Sequence, residues 1–105
     1  MVKSEYHKKR TQRGIEMRLA FAEAYNRLFR GRVKDGETIH GIKVRAAAMA
    51  GFGENSATPK AAYKAQRVKA AQMMKDPVVI SRLEELGLRP HPFQKYEWVI
   101  SDGER

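Results

Sequence analysis

The stretch AMAGFGENSATPKAAYKAQR, Ala48 to Arg67, joins two alanine-rich runs through a glycine-containing turn. The run before it, IKVRAAAMA from Ile42 to Ala50, reads as a short helix closed by Gly51 in a left-handed cap. The run after it restarts at Thr58-Pro59, an N-cap hydroxyl followed by proline at the first helical position. Two chemistries compete for the turn between them: a glycine loop around a phosphate group, or the turn of a DNA-reading helix pair. A phosphate loop follows a buried strand and places Gly-Lys-Ser or Gly-Lys-Thr at the head of its helix. Here the preceding segment is helical and that tripeptide is missing. The helix pair is the better reading.

Outward from this pair the chain stays helical. The second helix of the pair is expected over residues 59–75, with Ala62, Tyr63, Ala70, Met73 and Met74 on its core arc. Asp76-Pro77 repeats the cap-plus-proline signal and opens a helix over 77–86, which Gly87 stops and Pro90 keeps from resuming. Upstream, residues 14–30 read as a helix with two apolar stripes. One holds Ile15, Leu19, Ala22 and Phe29; the other holds Met17, Phe21, Ala24 and Leu28. A small monomer needs one buried stripe, so Met17, Phe21 and Leu28 are assigned to a contact between subunits. Residues 1–13 lack helical or strand period and read as a basic flexible arm. In the tail, residues 89–105, Tyr96, Trp98 and Ile100 alternate as in one short strand without a partner in the chain. Phe93, Tyr96 and Trp98 are its candidate partner-binding residues. The expected fold is all-α: a small helical domain over 14–88 with a helix-turn-helix, a basic N-terminal arm and an extended aromatic tail.

Charge gives this architecture a direction. Among 105 residues, 21 are Lys or Arg and 12 are Asp or Glu, a formal net charge of +9. Such a balance favours polyanionic partners, nucleic acid before anionic membrane. It is also segregated: no acid lies between Ser56 and Lys75, while Lys3, Lys8, Lys9, Arg10 and Arg13 in the arm meet only Glu5. The candidate DNA-contacting residues are therefore Ser56, Thr58, Lys60, Lys64, Arg67, Val68 and Lys75. The competing reading is an alanine-rich bundle helix with a solvated basic face.

Other chemistries find no support in the sequence. His7, His40 and His91 are scattered, cysteine is missing, and no histidine pair has the helical spacing of a metal site. No acidic cluster resembles a two-metal nuclease site, and the serines and threonines sit at caps and turns. The expectation is a non-enzyme with no catalytic residue, metal or cofactor. No apolar run spans a bilayer and no secretory signal is visible, so a cytoplasmic location and no membrane partner are expected.

Taken in order, Ala46-Ala47, Ala50-Gly51-Phe52, the polar turn, then Met73-Met74, Lys75-Asp76 and Pro77 resemble the small subunit of tailed-bacteriophage terminases. The likeness covers roughly residues 42 to 88. That family typically closes one helix with Ala-Ala-x-x-Ala-Gly-aromatic, and ends the longer helix in two large apolar residues, a polar pair and proline. It often has Asn or a similar cap before the first helix, where this chain has Gly41-Ile42, and its members are longer. The resemblance implies a protein that recognises viral DNA for packaging, assembles into a homo-oligomeric ring and hands double-stranded DNA to a large ATPase and nuclease subunit in the host cytoplasm. Two alternatives use the same residues differently: a helix-turn-helix transcriptional regulator or nucleoid-associated protein, and an assembly adaptor that binds no DNA.

Overall fold

In the computed structural model the element order is α1 (Val2–Lys34), α2 (Ile42–Met49), α3 (Pro59–Met73), α4 (Pro77–Glu85), β1 (Leu88–Pro90) and β2 (Trp98–Ile100). The structure describes the backbone of residues 2–38, 41–94 and 97–101, and the side chains from residue 12 onward within those ranges. Helices dominate, as the sequence implies, and α2, α3 and α4 keep their expected positions to within two residues. No helix among the described residues is long and apolar enough to cross a membrane.

The starts of α3 and α4 follow from capping. The Thr58 Oγ1 accepts from the Ala61 N–H at 3.1 Å, with Pro59 next in line. The Asp76 carboxylate accepts from the Val78 N–H at 2.9 Å and the Val79 N–H at 3.4 Å. Its other oxygen accepts from Arg18 Nε at 2.8 Å, so the cap of α4 is also a tether to α1. Each cap satisfies amide groups that a helix start leaves without partners. Asp76→Ala is expected to cost about 1–2 kcal/mol, read as a Tm fall of roughly 4–8 °C per kcal/mol. Asp76→Asn, which keeps an acceptor, should recover most of it, and an unchanged Tm in the alanine variant would contradict the dual role.

The N-terminal arm is a correction. Residues expected to form a flexible arm continue α1 without a break, giving a helix of 33 residues. The reason is local. Glu, Lys, Arg and Gln are good helix formers, residues 2–13 hold no glycine or proline, and extending an existing helix is far easier than nucleating one. Gly14, where the apolar period begins, costs only about 1 kcal/mol inside a helix and does not stop it.

The two stripes of α1 are a second correction. Phe21 is 0% exposed and belongs with Ala22, Ala24, Tyr25 and Phe29 to the core of the single chain. Leu28 is half-buried against the same core, and Met17 is half-buried beside the α2–α3 turn. Both stripes are buried because α1 has neighbours on two sides, α2 on one and α4 on the other. On the α4 side, Arg82 donates to Glu23 at 2.9 Å and to Glu85 at 3.0 Å, and Arg30 donates to the Leu86 carbonyl at 2.7 Å. Its hydrogen bonds to Glu23 and then to Glu85 hold the Arg82 guanidinium more firmly charged than usual. Along α1, Tyr25 stacks on Phe21 and Phe29 with ring centroids 6.2 and 5.9 Å away. Burial, and secondarily the charge of Glu97, push the Tyr25 hydroxyl well above the usual tyrosine range.

Ala46 and Ala47 of α2 and Ala70 of α3 are all fully buried. Small side chains here let α2 approach α1 and α3 closely, as the alanine run suggests.

The tail strand has its partner after all. β2 pairs antiparallel with β1 in the register Leu88↔Ile100, Arg89↔Val99 and Pro90↔Trp98. Ser101 closes the ladder, its N–H and Oγ both donating to the Gly87 carbonyl at 2.8 and 2.9 Å. A two-stranded ribbon is marginal alone. This one is held by Leu88 and Trp98, 1% and 4% exposed in the common core. Pro90 is accommodated because it sits at the end of a strand, where no N–H is needed.

Candidate nucleic-acid interface

The α2–α3 turn answers the question its glycines raise. Gly51 has φ +98°, its N–H donates to the Ala48 carbonyl, and the Phe52 N–H reaches back to the Ala47 carbonyl at 3.1 Å. That bond pair closes α2 in a left-handed cap, which L side chains adopt poorly. Gly53, at φ +81°, lies where a Cβ would come within 2.9 Å of the Ala62 carbonyl oxygen. Its role is close backbone packing of the turn on α3. Gln66 secures the same junction, donating to the Phe52 carbonyl at 3.3 Å, and Lys69 lies over the Phe52 ring at 6.0 Å. Local packing accounts for both glycines without a phosphate.

What the turn positions is the outer face of α3. Lys60, Lys64, Arg67, Val68 and Lys75 are all exposed; Lys64 and Val68 face away from the buried Ala70 and Met73, Lys60 and Arg67 lie at the edge of that outer face, and Lys75 follows the end of α3. Lys64, Arg67 and Val68 line one shallow, open cleft on that face. From Lys60 to Arg67 the cations rise about 10 Å along the axis, at 1.5 Å per residue. Thr58 is exposed at the start of this face, with its oxygen engaged as the cap, and Ser56 is half-buried in the turn. All seven sequence-derived positions thus lie on α3, on its cap or in the adjoining turn and loop. No acid lies between Ser56 and Lys75.

Tyr63 departs from expectation. Assigned to the core arc, it is instead 56% exposed, with the Arg67 guanidinium 5.9 Å from its ring centroid. It stands at the edge of the arc, where its hydroxyl stays in water and its ring orients a cation. Sequence reading missed it because helical register alone does not separate an edge position from a buried one. The four-residue spacing to Arg67 was the available signal.

The other assigned groups are dispersed. Of the stripe Met17, Phe21 and Leu28, Phe21 lies in the core of the single chain and is closed to a second subunit, while Met17 and Leu28 are half-buried. Trp98 is a core residue, and its indole Nε1 has no hydrogen-bond partner among the described residues. Phe93 is 90% exposed at the hairpin loop, where His91 Nδ1 accepts from the Phe93 and Gln94 N–H groups at 3.1 Å. Tyr96 lies outside the described residues. Among the described residues no group of three or more His, Cys, Asp or Glu could hold a metal ion. Compared with known proteins, the chain matches no family model, no curated protein and no solved structure.

Proposed function

We propose that the chain binds double-stranded DNA through α3, with α2 and the turn acting as the bracing half of a helix-turn-helix. The observation that carries this reading is the exposed Lys60, Lys64 and Arg67 on α3, in a helix that contains no acid. Lys60, Lys64, Arg67 and Lys75 neutralise phosphates on either side of the major groove, and Val68 lies toward base edges. Tyr63 stiffens Arg67 for that contact. Ser56 and Thr58 donate hydroxyls to the backbone near the start of the helix. In this role the chain is like a terminase small subunit: it selects viral DNA in the host cytoplasm and passes it to a large ATPase and nuclease subunit. It supplies no catalysis itself. Phe93 is the exposed aromatic available for docking to that partner, whereas Trp98 is needed inside.

Titration with duplex DNA, combined with the mass of the native assembly, tests the reading. Binding that weakens steeply with salt, by a ring of more than two copies, is the expected result. A two-fold dimer on paired half-sites would transfer the same DNA face to a transcriptional regulator or nucleoid-associated protein. No duplex binding at low salt would leave an assembly adaptor and overturn the proposal.

A further inference from the structure

The long first helix carries its own cationic sector. Positions 3, 6, 9, 10 and 13 of α1 fall within about 120° of one another at 100° per residue, and hold Lys3, Tyr6, Lys9, Arg10 and Arg13. Continued toward the C-terminus, this sector contains Met17, Phe21, Ala24 and Leu28. Its position in the fold is fixed by Arg13 and Met17. The Arg13 guanidinium is 3.8 Å from the Glu54 carboxylate, and the Met17 methyl lies 3.9 Å from where a Cβ on Gly51 would be. Arg13 and Met17 line an open cleft against residues 51–56, whose last member is two residues from the Thr58 cap of α3. The sector therefore begins beside the start of the DNA-facing helix.

From there it runs outward. At 1.5 Å per residue α1 is about 50 Å long, nearly the 52 Å long dimension of the molecule. Among its described side chains the first fully buried one is Phe21. Positions 3 to 13 span about 15 Å, the axial length of roughly four phosphates on one strand. They carry five cations and one acid, at the end of the helix whose dipole is itself positive.

We propose that the N-terminal third of α1 is a second DNA-binding element, following the phosphate backbone beside the groove that α3 occupies. This rests on the DNA-binding reading of α3. It extends the contact beyond one groove and makes the long helix a clamp on the flank of the site. The contact reads charge rather than sequence, so it adds affinity and register without changing base preference.

The test is the salt dependence of duplex binding by Lys3→Ala/Lys9→Ala/Arg10→Ala, set beside Lys64→Ala/Arg67→Ala. Arg13 is left intact because it faces Glu54. Alanine supports the helix, and Lys3→Gln/Lys9→Gln/Arg10→Gln serves as a second neutral version. Each α1 variant is expected to lower the log–log salt slope by about 2.7, at 0.9 per phosphate contact, and to shorten the footprint on one side. An unchanged slope in the α1 variants with a lowered slope in the α3 variant would overturn the clamp and leave the α3 reading standing. A wild-type chain that binds no duplex would remove both. Unfolding of both α1 variants would also overturn it, since the segment would then serve the fold rather than an interface.

Discussion

Phe21→Glu is expected to unfold the chain rather than separate subunits. The ring is fully buried against the α1 aromatic ladder, with Tyr25 stacked at 6.2 Å. Removing a buried phenyl ring costs about 3–5 kcal/mol. Leaving an unpaired carboxylate in its place adds a desolvation penalty of several kcal/mol unless the group is protonated. Together these rival the whole stability of a domain this size, about 5–15 kcal/mol. Far-UV circular dichroism should show loss of helix, while Phe21→Leu keeps the fold with a lowered denaturation midpoint. A helical Phe21→Glu protein, smaller in mass than the wild-type assembly, would restore this stripe to a subunit contact.

Removal of residues 95–105 should be nearly as damaging, because it takes β2 and Trp98 out of the core. Trp98→Ala separates the two losses. Truncating a buried aromatic costs about 3–5 kcal/mol, offset in part because the buried indole N–H has no partner among the described residues, a penalty of about 1–3 kcal/mol. Trp98→Phe removes that donor and keeps most of the ring, so it should be close to neutral. A thermal melt distinguishes them: a large fall in Tm for Trp98→Ala and for the truncation, little change for Trp98→Phe. A truncated chain that melts like the intact one would return the tail to a detached segment.

Much of this architecture was legible in particular residues. Thr58-Pro59 and Asp76-Pro77 act as caps because short polar side chains before proline leave few other conformations. Gly51 ends α2 because the left-handed cap favours glycine. The basic face of α3 could be projected from a strong period bounded by two certain ends. The stripes and the tail strand were misread because the deciding partner was distant in sequence. The two stripes of α1 look surplus to a monomer until α2 and α4 are placed on opposite sides of it. β1 is three residues, Leu-Arg-Pro, and has no alternation to read; only pairing with β2 makes it a strand. The arm looked irregular because it lacks an apolar stripe, yet helix-forming residues attached to a stable helix need none.

The claim that α3 is the DNA-contacting helix is tested most directly by the salt dependence of duplex binding in the wild type and in Lys64→Ala/Arg67→Ala. Both side chains are exposed and line the same open cleft, so their removal leaves the core and the caps intact. Two lost phosphate contacts should lower the log–log slope by about 1.8, and weaken binding most at low salt. A slope identical to the wild type, in a variant with unchanged circular dichroism, would contradict the account and place the DNA contact elsewhere on the molecule.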